Sequence, residues 1–230
     1  MPRIVDHDAR RSELVAAALR VITTEGFAAA SVRRVAQESG HSPGSLRHYF
    51  PRQDSLVAAV LDEVTRVAAA RLIPRILDLQ AAGPGAVVDA ACGLLEELMP
   101  LDEARATEWA VWSALVDPPS VPAALQRWRR AGWAGTRHHC RSVVRQLDHP
   151  VAGPAHHGEV TVPGAEEVLA STLELRPLAD PVAEARAAGL HAVVDGLSVQ
   201  LVTHPKDVCP ADAQAVLRRV VSDLAEPSPR

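Results

Sequence analysis

Five arginine, histidine and tyrosine positions in the first fifty residues have side chains suited to reading a polyanion. Arg33 and Arg34 lie on one short helical stretch, and Arg47, His48 and Tyr49 lie on the next. A guanidinium can make two parallel hydrogen bonds to a guanine edge, while serine and tyrosine hydroxyls hold position on phosphate oxygens. Between them runs Ser42-Pro43-Gly44-Ser45. These small residues let a helix start come close to a surface, with its first N–H groups directed outward. Ser31, just before the first stretch, has the side chain of an N-cap.

Other chemistries find less support. No GxSxG, HExxH, phosphate-binding loop or dinucleotide fingerprint occurs, so the sequence is not read as an enzyme. His138 and His139 are adjacent, which on a helix turns their rings about 100° apart, unlike a chelating i, i+4 pair. His156, His157 and Glu159 follow in a loop-like stretch, and no metal or cofactor is expected. Cys92, Cys140 and Cys209 are odd in number and far apart, and read as reduced, packed thiols.

The elements that must position these residues are helical, because Val and Leu recur every three or four residues. A first helix is expected from about Asp8 to Gly26, a second from Ser31 to Gly40, and a third from Ser42-Pro43 to Phe50, closed by Pro51. Ala36, Gly40 and Leu46 then have the spacing of a helix-turn-helix: a small residue at the crossing, a glycine for the turn and an apolar anchor. A fourth helix is expected over about 53 to 72, and others over 85 to 98, 102 to 116, 120 to 147, 181 to 203 and 211 to 225. Residues 148 to 164, rich in Pro and Gly, read as a long flexible loop.

The chain has 230 residues, 47% hydrophobic and 23% charged, with a formal net charge of −4. That is ordinary globular composition, and no stretch is apolar and long enough for a membrane span. A cytoplasmic protein is expected. The charge is uneven: residues 1 to 60 sum to +2 and the remainder to −6. A basic head on an acidic body suits a head that meets nucleic acid.

The stretch Val32-Arg33-Arg34-Val35-Ala36, then Ser39-Gly40-His41-Ser42-Pro43-Gly44-Ser45-Leu46-Arg47-His48-Tyr49-Phe50-Pro51, then Asp54-Ser55-Leu56 resembles the DNA-binding domain of TetR-family transcriptional regulators. Residues 190 to 197, Leu-His-Ala-Val-Val-Asp-Gly-Leu, are similar to the penultimate helix of a BetI-like branch. The resemblance implies an all-α fold: a helix-turn-helix domain over 1–52 and a helical ligand-binding and dimerisation domain over 53–226. It implies DNA contacts by Ser31, Arg33, Ser42 to Ser45, Arg47 and Tyr49. Arg34 and His48 supply further donors. Three positions depart from the family pattern: His41 replaces the usual Val, Arg47 the usual Tyr and Gln53 the usual Lys, for which Arg52 can substitute.

The function implied is a ligand-responsive regulator, a repressor, binding a palindromic operator as a homodimer and released by a small, largely apolar effector. The alternative is a helical small-molecule-binding protein whose head no longer binds DNA. Trp109, Trp112, Trp128 and Trp133 concentrate the body's large aromatics on two helices, either as plain core or as the lining of a pocket, with Met99, Glu108 and His138 as further candidates. Leu190, Val194, Leu197 and Leu201 form one apolar stripe, and Val216, Leu217, Val220, Val221 and Leu224 another. Together they are expected to build a four-helix dimer interface.

Overall fold

The computed structural model describes residues 7–115, 125–150, 153 and 162–226. Among these, every regular element is helical. Helix α1 spans His7–Glu25, α2 Val32–Ser39, α3 Pro43–Tyr49, α4 Gln53–Ala81, α5 Val87–Glu96, α6 Glu103–Ser113, α7 Gln126–Asp148, α8 Ala165–Leu173, α9 Pro181–Thr203 and α10 Pro210–Ala225.

The local signals act where the sequence places them. Ser31 Oγ accepts the Arg34 N–H at 3.2 Å and Ser42 Oγ accepts the Ser45 N–H at 3.1 Å, starting α2 and α3. Gly40 has φ +70°, and the following His41 N–H returns to the Ala36 carbonyl at 2.9 Å. The chain thus leaves α2 through a left-handed residue that a side chain would strain. Asp180 caps α9 through the N–H groups of Val182 and Ala183, with Pro181 as its first residue.

Two apolar cores organise the chain. In one, Leu14, Ala18, Val35, Leu46, Phe50, Leu56 and Val60 of the head run into Val111 of α6, Trp128 of α7 and Leu169 of α8. In the other, the later part of α4 packs with α5, the second half of α7, α9 and α10. Head and body are therefore joined by packing of α1 on α6 as well as by the chain of α4. The covalent boundary expected near residue 52 does not divide the first core.

Several expectations change. Helix α4 continues to Ala81, through Pro74, instead of ending at 72. The lost hydrogen bond at Pro74 is outweighed because Leu79 is buried against the body only if the helix continues. Helix α8 was not expected at all; it carries few strong signals beyond the acidic first turn of Glu166 and Glu167. The 148–164 loop, with His156, His157 and Glu159, lies mostly outside the described residues, as does the start expected for α7 at 120.

The stripe expected to dimerise is corrected. Leu190, Val194, Leu197, Leu201, Leu217 and Val221 are all at most 8% exposed and belong to the chain's own core. Val220 and Leu224 are half-buried at its edge, and Val216 alone of the nine stands exposed, at 47%. The inward stripe is covered by α5 and α7 of the same chain. The outward face of α9 is a different one, with Ala185, Gly189, Ala192 and Val199 exposed. Cys209 also differs from expectation: it is exposed ahead of α10, whereas Cys92 and Cys140 are packed. Burial pushes the Cys92 thiol up to about 11 and Cys140 to about 12, leaving both unreactive at neutral pH.

Candidate nucleic-acid interface

Helices α2 and α3 meet around Val35, Ala36 and Leu46, each at most 1% exposed. With these three inward, the remaining faces of the two helices are set by the 100° step per residue. Arg33, Ser42, Pro43, Gly44, Arg47 and His48 are exposed, while Ser31, Ser45 and Tyr49 are half-buried. The serine hydroxyls of 31 and 42 are already used as caps, which fixes both helix starts before any partner arrives. Arg33 and Arg47 form no ion pair among the described residues and keep their donor forks open.

Arg34 is corrected. Its guanidinium donates to Glu25 at 2.9 Å and to Glu38 at 3.1 Å, and Glu38 also takes Arg20 at 3.0 Å. The Glu25 contact chiefly raises the Arg34 pKa, and Arg20 and Arg34 lower that of Glu38. This side chain ties α2 to the end of α1 and is occupied within the head.

Sequence reasoning missed what α1 brings to α3. The His7 ring lies 5.1 Å from the Tyr49 ring and 5.8 Å from that of His48, and His48 meets Tyr49 edge-on at 5.4 Å. Arg10 Nη1 is 2.5 Å from His41 Nε2 and 3.0 Å from Glu13. A guanidinium only donates, so the ring nitrogen it meets accepts. These residues surround a shallow open cleft lined by His7, Arg10, His41, Ser45, His48 and Tyr49. His41 therefore explains its departure from the family pattern: it is a half-buried turn residue held from α1. Gln53 points its amide at the Phe27 carbonyl, 3.5 Å away, and Arg52 is exposed beside it.

The residues expected to line an effector pocket are not gathered into one place. Met99 is 1% exposed in the second core, and Trp128 is 1% exposed in the first, its indole N–H without a partner among the described residues. Trp133 is 58% exposed on the outside of α7, with Arg137 over its ring at 5.2 Å and the His191 ring tilted against it at 5.6 Å. Trp109 and Trp112 are half-buried on α6, and Trp112 lies across Gly132 of α7 so closely that a Cβ there would come within 3.0 Å of its ring. Nearby, Arg71 of α4 binds both Glu108 of α6 and Glu97 at the end of α5. Burial raises the Glu108 pKa in spite of Arg71. Burial likewise lowers His138, and lowers His139 to about 4, so both rings are neutral.

A helix-turn-helix head whose second helix carries open donors, seated on a larger helical body, defines a transcriptional regulator of two parts. The profile described as bacterial regulatory proteins, tetR family, matches residues 14–60, and that of the BetI-type transcriptional repressor C-terminal region matches 163–226. In its head and in its C-terminal helices the chain is similar to the TetR family of transcriptional regulators. It is 35% identical over 122 residues to the HTH-type transcriptional regulator PksA of Bacillus subtilis, a match covering 50% of this chain and 53% of PksA, so it spans about half the length of that relative. It is 24% identical to BetI 2 of Chromohalobacter salexigens over 97% of this chain and 92% of that one. Among solved structures, a transcriptional regulator from Rhodococcus sp. RHA1 superposes with a TM-score of 0.67 at 25% identity, covering 93% of this chain and 95% of that one. A regulator from Saccharomonospora viridis, solved in complex with choline, shares the fold with a TM-score of 0.67 at 16% identity, over 94% and 96% of the two chains. Among the described residues no helix is long and apolar enough to cross a membrane.

Proposed function

We propose that this protein is a repressor that binds a two-fold operator as a homodimer and is released by a small, largely apolar effector. The observation that carries the DNA half is the capped α2–α3 pair with Arg33, Arg47 and His48 exposed on one head. Helix α3 enters the major groove, where Arg47 reads a base edge and Tyr49 holds a phosphate.

The homodimer is assigned to the outward side of α9 and α10. Ala185, Gly189, Ala192, Val199 and Val202 on α9 are exposed small or apolar residues around Asp195, and Val216 is exposed on α10. Nothing lies within 4 Å of a Cβ built at Gly189 or Gly196, so a second helix has room to approach closely. The effector is assigned to the body beside Trp109 and Trp112, and the choline complex of the Saccharomonospora neighbour supports a small-molecule site in a body of this shape. A gel shift with the duplex flanking its own gene tests the reading. A retarded band that a member of a ligand panel abolishes is expected. Absence of any retardation at low salt, where phosphate contacts are strongest, overturns it in favour of a binding protein with a silent head.

A further inference from the structure

The geometry points to a backbone-phosphate site in the cleft between the start of α1 and the flank of α3, built by Arg10 with His41, His7 and Ser45. It rests on the head binding DNA, and adds to that reading a contact made by α1 and the turn.

Among the described residues Arg10 spends a single nitrogen on its neighbours: both His41 and Glu13 are met by Nη1. Nε and Nη2 remain as a two-donor edge, which matches two oxygens of one phosphodiester. At 30% side-chain exposure the guanidinium is half-sheltered, and its contact with His41 holds the aliphatic stem in place. Less freedom is then lost on binding than for a free surface arginine. Around it stand groups that can donate from ring edges or hydroxyls, His7, His48, Ser45 and Tyr49, while both ring nitrogens of His41 lie against Arg10 Nη1, at 2.5 and 3.3 Å. Three rings in mutual contact make this wall stiff. The acidic group in contact is Glu13, 3.0 Å from Arg10, 3.5 Å from His41 and 59% exposed, so it is free to swing into solvent.

The cleft is suited to the sugar–phosphate strand rather than a base. It lies beside Ser45 and Tyr49 on the side of α3 that faces α1, while Arg47 projects separately into solvent. In helix-turn-helix docking the helix that reads bases is flanked by elements that cross the backbone. An open site with a charged fork and no matched acceptors takes any sequence, which is the property of a positioning contact.

The test measures the affinity of the full-length protein for its operator duplex and for an unrelated duplex across a salt series. Arg10→Ala is expected to weaken both by a similar factor, about tenfold, and to reduce the slope of log K against log salt by about 0.9. Arg47→Ala, by contrast, is expected to weaken the operator selectively. Glu13→Gln is expected to tighten both duplexes by about threefold, an effect that no folding defect can mimic. If the wild type binds no duplex, the DNA reading falls and this site with it. If it binds, but Arg10→Ala keeps the wild-type slope, or Glu13→Gln weakens binding, the site alone is overturned. Inorganic phosphate separates the two sources of the anion: saturable shifts of the His7 and His48 ring protons below about 1 mM would assign the cleft to a free anion and overturn its assignment to duplex backbone.

Discussion

Arg33 and Arg34 are chemically identical neighbours, yet only Arg33 is open. The 100° step between them turns Arg34 toward the carboxylates of Glu25 and Glu38, which a reading of local spacing cannot distinguish from solvent. Arg47 is open for the same geometric reason, with Leu46 buried beside it. Arg47→Ala is expected to cost the operator about 1–3 kcal/mol of discrimination at one base pair, read by competition among operator variants. Tyr49→Phe should weaken all duplexes alike. A second residue-scale prediction concerns acid stability. His139 is held near 4 by burial, while in the unfolded chain it titrates near its ordinary 6.5. Between those values the unfolded state binds the extra proton, so stability is lost as pH falls from about 6.5 toward 4. His139→Gln should remove up to about 3 kcal/mol of that loss. Chemical denaturation of both proteins at pH 7 and pH 4.5 measures the difference, and equal acid losses would contradict the placement of this ring.

At the scale of elements, helix α9 is apolar on two sides. Its leucine stripe faces α7 and α10, and its outward side carries Ala185, Gly189, Ala192 and Val199 with Asp195 between them. Leu197→Glu should therefore unfold the chain, because it places an unpaired charge in the core. Val199→Glu with Val216→Glu should leave a folded monomer. Sedimentation with circular dichroism separates these outcomes, and a persistent dimer in the double variant would exclude the outward face. Between α6 and α7, Gly132 is the position at which the ring of Trp112 comes close. Gly132→Ala gains about 1 kcal/mol of helix propensity but must displace the ring, and overpacking costs about 1–3 kcal/mol. A lowered melting temperature with a shifted tryptophan emission is expected. An unchanged emission would mean that Trp112 does not rest on α7.

For the whole molecule, the head is held to the body in two ways: through the chain of α4 and through packing of α1 on α6. Helix α6 carries Trp109, Trp112 and Glu108, and Glu108 binds Arg71 of α4. An effector beside these tryptophans thus meets both connections at once. It releases DNA only to the extent that it binds one arrangement of the heads more tightly than the other. A difference of about 3 kcal/mol corresponds to about 150-fold, and linkage requires operator DNA to weaken effector binding by that same factor. Tryptophan fluorescence measures the effector affinity of free and operator-bound protein. Equal affinities for an effector that nonetheless releases DNA would refute the coupled switch.

The sequence by itself determined the helices that carry their own punctuation. Ser31, Gly40, Ser42-Pro43 and Asp180-Pro181 act on the neighbouring three or four residues, so the head and the start of α9 are legible without knowing what surrounds them. Tertiary structure decided what depends on a distant partner. Pro74 remains inside α4 because the body covers Leu79, and α8 forms although its local signals are weak. Met99 and Trp133, similar as pocket candidates in the sequence, end in a core and on the surface. On α9 an apolar stripe reports that something must cover it. Whether that cover is α7 and α10 of the same chain or a second chain is set by long-range packing, for which the local pattern holds no signal.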